Sequence, residues 1–412
     1  MKTLAFFEIP IDVKTKSTKG SSPKLLDKLI EQLQGAAEIK ISFFLYNNPY
    51  LHKAIELLAV KGCHIIIYTI PLSGYDRRKK EITLPNGKKG HYSKYEYAEK
   101  IVQRVMNSKL PIELRYIPHT NVWYVQKTSR GLDSYALHSK SILIKNGDGS
   151  YKCISTSSNM ALGDPPHSEN LFITDRKKDI HMFHTYFDLL HKQSLSLKEY
   201  GEFCQQSYDF QYVTKPSDIQ DEYGTCYFTA PFIKYNGAGS NHYVQNKIIE
   251  FMKTARQRLY FCFQHISDIN SFDKQAQNIV SELGEIAGSN PSLDIKVIKQ
   301  TRSNHQKQGD RTAKAEQFLK CFRNIEQKVL FPIIHDKFMI ADNNLLVTTA
   351  NLTSTQFAWA EDYEMRYQVG QEKYSILNTF SDINSFHFTH EHPVVNDYLS
   401  HFSQLWMIGD CL

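Results

Sequence analysis

The chain has 412 residues, 41% of them apolar and 22% charged, with a formal net charge of +6. That length supports two substantial cores, and the ordinary globular composition excludes a long disordered tail. The positive balance is modest: it admits an anionic partner without demanding one.

In chain order, the opening MKTLAFFEIPIDVK carries Glu8 and no apolar run followed by small residues, so no secretory leader is expected. Residues 23–35 read as a helix. Leu25, Leu26, Leu29, Ile30 and Leu33 share one face, with Pro23 at the start and Gly35 as the stop. A strand at 39–45, a helix at 51–60 ending at Lys61-Gly62, a strand at 64–70, a helix at 97–106 and a strand at 112–117 follow. The longest apolar stretch, 63–72, is too short and too polar to span a bilayer, so stable membrane insertion is not expected. This alternation predicts an α/β lobe, a mixed sheet with helices on both faces. After a mixed, aromatic segment at 199–238 the order repeats: helix 243–254, strand 258–264, helix 274–287, strand 293–300, helix 312–323, strand 328–333. A boundary near Tyr200–Thr214 divides the chain into lobes 1–205 and 206–412. The seven cysteines, at 63, 153, 204, 226, 262, 321 and 411, form no Cys-x-x-Cys pair and are odd in number. They read as reduced thiols of a cytoplasmic protein.

Each succession leads into the same short unit. In the first, His138 and Lys140 open a strand, a turn and a returning strand follow, and Asn159 closes the unit. In the second the corresponding residues are His335, Lys337 and Asn351. Side chains two apart on a strand share a face, so each His and Lys project together and the Asn returns beside them. The gap from His to Asn is 159 − 138 = 21 in the first copy and 351 − 335 = 16 in the second. The extra residues sit at Asn146–Ser150, a hairpin tip where added length costs little. His305-Gln306-Lys307 also matches His-x-Lys, but no strand and no returning Asn follow it. Specificity therefore comes from the whole unit occurring twice, which predicts a duplicated, pseudo-twofold fold.

The pair resembles the phospholipase D superfamily, whose repeat is His-x-Lys, four residues, Asp, then Gly-Ser-x-Asn. The second copy has Asp342 and Thr348-Thr349-Ala350-Asn351 at those places. The first has Thr156-Ser157-Ser158-Asn159 but Lys145 at the acidic position, with Asp148 in the inserted turn. The resemblance implies two phospholipase D-like lobes with one active site at their interface, and a metal-independent phosphodiesterase without a cofactor. It further implies a covalent phosphohistidine formed by one histidine, His138 by the family's order, while the other, His335, protonates the leaving oxygen. Lys140, Lys337, Asn159 and Asn351 would hold the non-bridging oxygens. Ser157, Thr349 and Asp342 would orient these groups, and Glu169 and Glu361 would each fix a histidine tautomer.

Basic residues interleaved with tyrosines, Arg77, Arg78, Lys79, Lys80 and Tyr92 in one lobe and Lys299 and Arg302 in the other, follow the second strand of each lobe. Loops at strand carboxyl ends rim the ligand crevice of α/β sheets, and such residues suit phosphates and unstacked bases. The first expectation is therefore a nuclease, acting on DNA in preference to RNA. It would resemble the stand-alone nucleases of bacterial defence or restriction systems, with a homodimer and a partner ATPase or helicase allowed. A phospholipase D acting on phosphatidyl lipids is the runner-up, and a non-catalytic nucleic-acid-binding subunit the third reading. The three histidines of Phe386–Pro393 read as a surface turn before a C-terminal helix, not a metal centre, since no convergent acidic or cysteine ligands lie nearby in sequence.

Overall fold

The structure is a computed structural model that describes residues 3–9, 24–70, 80–83, 89–92, 94–117, 137–162, 167–203, 216–267, 279–300, 306–330, 334–357, 364–369, 372–377 and 382–411. The first half runs Thr3–Glu8 (β1), Lys24–Leu33 (α1), Ala36–Ser42 (β2), Pro49–Val60 (α2), His64–Thr69 (β3), Lys80–Thr83 (β4), Lys89–Tyr92 (β5), Lys94–Asn107 (α3) and Ile112–Tyr116 (β6). It continues with Ser141–Asn146 (β7), Tyr151–Thr156 (β8), Glu169–Thr174 (β9), Lys177–Gln193 (α4), Leu195–Ser196 (β10) and Leu197–Phe203 (α5). The second half opens with Ser217–Ile219 (β11), Cys226–Thr229 (β12), Ile233–Tyr235 (β13), Ala238–Gly239 (β14), Ser240–Lys253 (α6), Arg258–Phe263 (β15), Ile279–Ser289 (α7), Asp294–Gln300 (β16), Gln306–Leu319 (α8) and Ile325–Leu330 (β17). It closes with Lys337–Ala341 (β18), Asn344–Thr348 (β19), Ser354–Phe357 (α9), Glu364–Val369 (β20), Glu372–Leu377 (β21), Asn384–Thr389 (β22), His392–Ile408 (α10) and Asp410–Cys411 (β23).

Two eight-stranded mixed sheets result, ordered β1-β9-β8-β7-β2-β3-β6-β10 and β12-β22-β19-β18-β15-β16-β17-β23. Read position by position they are the same sheet. Each has a parallel trio (β2-β3-β6; β15-β16-β17) joined through helical crossovers, extended on both sides by antiparallel strands. The His-x-Lys hairpins, β7-β8 and β18-β19, lie at the centre of their sheets. Their residues are buried on both faces: all of β18 and most of β7 are inaccessible, which is why both read as continuous apolar runs and not as alternating ones.

The halves exchange helices. α4 follows β9 and packs across the outer strand of the other sheet, with Tyr186 stacked flat on Phe228 at 3.9 Å and Phe183 edge-on to it at 5.1 Å. α10 follows β22 and returns the contact to β1, with Tyr398 and His401 against Phe7 at 4.8 and 4.2 Å. Thr3 also donates to Glu391 at 2.8 Å. Apolar side chains from both halves, among them Leu143, Phe183, Phe228 and Leu346, join in one buried cluster, so the interface between sheets is core and not a wet domain contact.

Several details differ from the sequence reading. Phe386–Thr389 is not surface turn: it is strand β22, with Phe386 and His387 fully buried. Polar spelling hid an inner strand: His387 is buried with its Nε2 bonded to Ser155 at 2.7 Å and its Nδ1 lying 3.7 Å from Asp179. The strand expected at 328–333 lies at Ile325–Leu330, since Asn324 ends the preceding turn by donating to the carbonyls of Ala287, Asn290 and Leu293. Cys63, Cys153, Cys226 and Cys262 are buried free thiols, whereas Cys321 and Cys411 are exposed; Cys204 lies outside the described residues. Among the described residues no helix is long and apolar enough to cross a membrane.

Candidate active site

Each His-x-Lys histidine precedes a central strand of its own sheet and is pinned by a segment of the other half. Leu137, next to His138, bridges to Ile383 just before β22, and Ile334, next to His335, bridges to Ser168 just before β9. The His335 amide donates to the Ser168 carbonyl at 3.1 Å. These two bridges place the starts of β9 and β22 beside the histidines of the opposite lobe.

The side-chain partners cross in the same way. His335 Nδ1 donates to Glu169 of the first lobe, 3.0 Å from each carboxylate oxygen. His138 Nδ1 donates to Asn384 Oδ1 of the second lobe at 3.0 Å. Glu169 and Asn384 are the first residues of the equivalent strands β9 and β22. Each is in turn held by the hydroxyl at the end of its lobe's hairpin: Ser157 donates to Glu169 at 2.5 Å, and Thr349 donates to Asn384 at 3.2 Å. Those hydroxyls accept from backbone, Ser157 from the Asn170 amide at 2.9 Å and Thr349 from the Ser385 amide at 3.0 Å. With Nδ1–H committed to a partner, each ring leaves Nε2 as the free nitrogen.

Lys140 and Lys337 are fully buried, and each folds its ammonium back to the carbonyl of the histidine two residues earlier, at 2.7 Å in both lobes. The ammonium groups are thus set beside the rings before any ligand arrives. Asn351 accepts from the His265 amide at 3.2 Å. The loop carrying Asn159 is braced by Asn48, which donates to the Met160 carbonyl at 2.9 Å, and by Asn47, which accepts from the Leu162 amide at 2.9 Å.

Burial and neighbouring cations set the protonation. His138 is pushed well below the ordinary imidazole value by burial, then by Lys140 and Lys337. Burial also lowers His335, to about 4, against the pull of Glu169. Lys337 falls to about 8 through burial, partly offset by Glu169. Burial alone would raise Glu169, but His335 and His167 outweigh it and hold the carboxyl below its usual range. Burial thus disfavours the charged form of both imidazoles, and an anion brought beside them would favour protonating one.

The remaining expected residues fall elsewhere. Asp342 does not orient the reacting groups. It sits in the β18–β19 turn, five residues along the strand from Lys337 and so about 17 Å away, and accepts from the amides of Arg256, Gln257 and Arg258 at 2.8, 2.8 and 3.0 Å. In the first lobe the equivalent tie is backbone only, Gly147 N to Gly35 O at 3.0 Å, while Asp148 closes its own turn onto Ser150. Lys299 is not held out on a loop: it is buried in β16, its ammonium 2.8 Å from Glu316. Glu361, Arg77, Arg78, Lys79 and Arg302 lie outside the described residues, as do the side chains of Lys80 and Tyr92 on the β4-β5 hairpin.

Two residues of the site were missed. Asn384 was hidden because the β20-β21 hairpin intervenes between it and Asn351, so its spacing from the motif does not match that of Glu169 from Asn159. His167 lies 3.5 Å from Glu169 and stacks on the His335 ring at 5.0 Å. Its signal was available: it precedes Glu169 by two residues, the interval that puts side chains on one face.

No protein-family model matches this sequence, and no curated protein does. Solved structures do. The phosphatidylserine synthase of Haemophilus influenzae Rd KW20 aligns over 99% of this chain and 87% of its own, at TM-score 0.59 and 11% identity. The polyphosphate kinase of Porphyromonas gingivalis aligns over 98% of this chain at TM-score 0.51 and 11% identity; the chain spans 50% of that kinase's length. Nuc of Salmonella typhimurium, a phospholipase D family member, aligns over 45% of this chain and 95% of its own, at TM-score 0.31 and 14% identity.

Proposed function

We propose, from the phospholipase D superfamily fold that this chain carries, that it is a phosphodiesterase which cleaves nucleic acid in two displacements at phosphorus. The observation that carries the reading is the crossed pairing of His335 with Glu169 and of His138 with Asn384. It draws two imidazoles, each with Nε2 uncommitted, toward one site from opposite lobes.

The partners also favour a division of labour, the reverse of the family order expected above. A histidine bonded to phosphorus through Nε2 and protonated at Nδ1 carries positive charge, and the Glu169 carboxylate stabilises that charge. His335 is therefore the nucleophile: its Nε2 forms the bond to phosphorus as the bond to the leaving oxygen breaks. His138 has a neutral amide partner and two lysines that disfavour its charged form, which makes its imidazolium the better proton donor. It gives its Nε2 proton to the leaving oxygen and then takes one from the water that attacks the phosphohistidine. The phosphorus–nitrogen bond breaks and His335 returns to its neutral form. Lys140, Lys337, Asn159 and Asn351 meet the charge on the non-bridging oxygens.

A polynucleotide is the substrate class best supported. The basic, tyrosine-rich stretches suit a phosphate backbone. Among the described residues the large exposed apolar side chains (Leu57, Val60, Met106, Tyr223, Phe318, Met407) lie on none of the strands bearing the His-Lys-Asn sets. Both sets belong to one chain, and a dimer is not needed to complete the site. The test is turnover of labelled single- and double-stranded DNA, RNA and phosphatidylcholine, with EDTA present. DNA or RNA cleavage is expected; turnover of the lipid alone would transfer the mechanism to a phospholipase, and turnover of none would end it.

A further inference from the structure

His167 has no part in the two displacements, yet it lies against the carboxylate and the ring that do. Its Nδ1 is 3.5 Å from Glu169 Oε1, His335 Nδ1 is 3.0 Å from the same oxygen, and the three donor atoms all lie within 4.8 Å of one another. The two rings stack at 5.0 Å with 29° between their planes. Zinc binds imidazole nitrogen and carboxylate oxygen at about 2.0–2.2 Å, so donors around a tetrahedral ion stand roughly 3.3–3.5 Å apart. Both carboxylate–imidazole separations are within a few tenths of an ångström of that spacing. Two imidazoles and one carboxylate also match a borderline transition metal better than calcium or magnesium. A second grouping, Asp179, Cys226 and His387, meets the same proximity test. There, however, the Arg176 guanidinium already occupies the carboxylate at 2.5 Å and leaves a cation repelled.

We propose that His167, Glu169 and His335 form an inhibitory site for a zinc-class divalent cation. The inhibition follows from tautomer chemistry. In the metal-free protein the proton of His335 is on Nδ1, facing Glu169, and the lone pair is on Nε2. A metal bound at Nδ1 takes that nitrogen's lone pair, so the proton moves to Nε2, the atom that must attack phosphorus. No net proton is lost from the ring, but the nucleophile is gone. The ion also draws Glu169 away from the charge it would stabilise. This rests on the nucleophile assignment above, whereas the site itself rests only on the three donors.

The experiment titrates the full chain with zinc by calorimetry and with cobalt(II) by its visible absorption, which reports tetrahedral coordination. Wild type is expected to bind one equivalent with the tetrahedral cobalt band, and His167→Ala and His167→Gln to lose that band and bind at least about tenfold more weakly. Zinc should inhibit wild-type turnover, EDTA should restore it, and both His167 variants should show a smaller ratio of activity without zinc to activity with it. Binding of equal strength in wild type and both variants, or no one-to-one binding to wild type, would overturn the site. If the cobalt band appears and depends on His167 while no phosphodiester is ever turned over, the metal site stands and the proposed function falls. A band present but turnover indifferent to zinc would overturn the inhibitory role.

Discussion

The two lobes share strand order, strand direction and a His-Lys-Asn set, and they differ in the side chain that each histidine is bonded to. At the head of β9 the histidine's partner is a carboxylate, Glu169; at the head of β22 it is an amide, Asn384. The hydroxyl that holds each partner and the bridge that delivers each across the interface match. Duplication therefore supplies geometry, and the difference between carboxylate and amide supplies chemistry. Identical partners would make the two histidines interchangeable. On the mechanism proposed above, unequal ones give one ring the support a covalent phosphohistidine needs and leave the other a readier proton donor.

The comparison is broken most severely at the rings. His335→Ala should lower turnover by more than about 10⁴-fold, whatever the leaving group, because no phosphohistidine can form. Glu169→Gln should cost on the order of 10²–10⁴-fold in kcat, the range for removing a carboxylate that orients and charges a catalytic histidine. His138→Ala should cost about 10²–10⁴-fold on a polynucleotide and far less on a p-nitrophenyl phosphodiester, whose leaving group needs no proton. Acid-quenched His138→Ala should also carry labelled phosphate on His335. Rescue of His335→Ala by the activated ester, with label on His138, would restore the family's order and sink the assignment made here.

How much of this the sequence could carry depended on whether a feature was local. The hairpins β7-β8 and β18-β19 were legible because His, Lys, a buried run and Asn lie within one supersecondary unit. The repeated succession of elements was legible for the same reason. The crossed partners were not. Glu169 could be named as a holder of some histidine, but no pattern within one lobe says that its histidine belongs to the other. Asn384 was beyond reach altogether, since a hairpin insertion displaces it and an amide gives no signal among the acidic residues at 361–364. Lys299 shows the opposite failure: a basic residue at a strand end suggested a groove, and only packing revealed its buried pair with Glu316. His387 likewise spelled a polar turn until its partners were seen.

Asn384→Asp sharpens the comparison by making the two partners alike. His138 faces Lys140, Lys337, His335 and Asn384, and its pKa now lies well below the ordinary value through burial and the two lysines. The acid must be protonated to act, so kcat/KM falls as pH rises through that pKa and the wild-type optimum lies on the acid side. A carboxylate at 384 favours the imidazolium and raises the pKa by about one to three units. The alkaline limb of the kcat/KM profile should move up in pH by the same amount, with a smaller change in the maximum. An alkaline limb left in place would mean that a residue other than His138 supplies the proton.

The smallest effect on chemistry is expected where the lobes differ most in sequence. Asp342, the acidic member of the family repeat, has Lys145 as its counterpart, and neither touches a reacting group. The Asp342 carboxylate caps three successive amides at the start of β15, and the residue adopts a left-handed backbone with φ of 51°. Asp342→Ala removes the acceptor, at about 1–3 kcal/mol, and places a side chain without local hydrogen bonds in a conformation costing roughly 1–2 kcal/mol more. Asp342→Gly removes the acceptor but relieves the backbone, so its urea midpoint should fall between those of Ala and wild type. Both variants should keep wild-type kcat at temperatures where they remain folded. A loss of turnover in folded Asp342→Gly comparable with that of Glu169→Gln would show that the brace reaches the site, and that the acidic residue belongs to the chemistry after all.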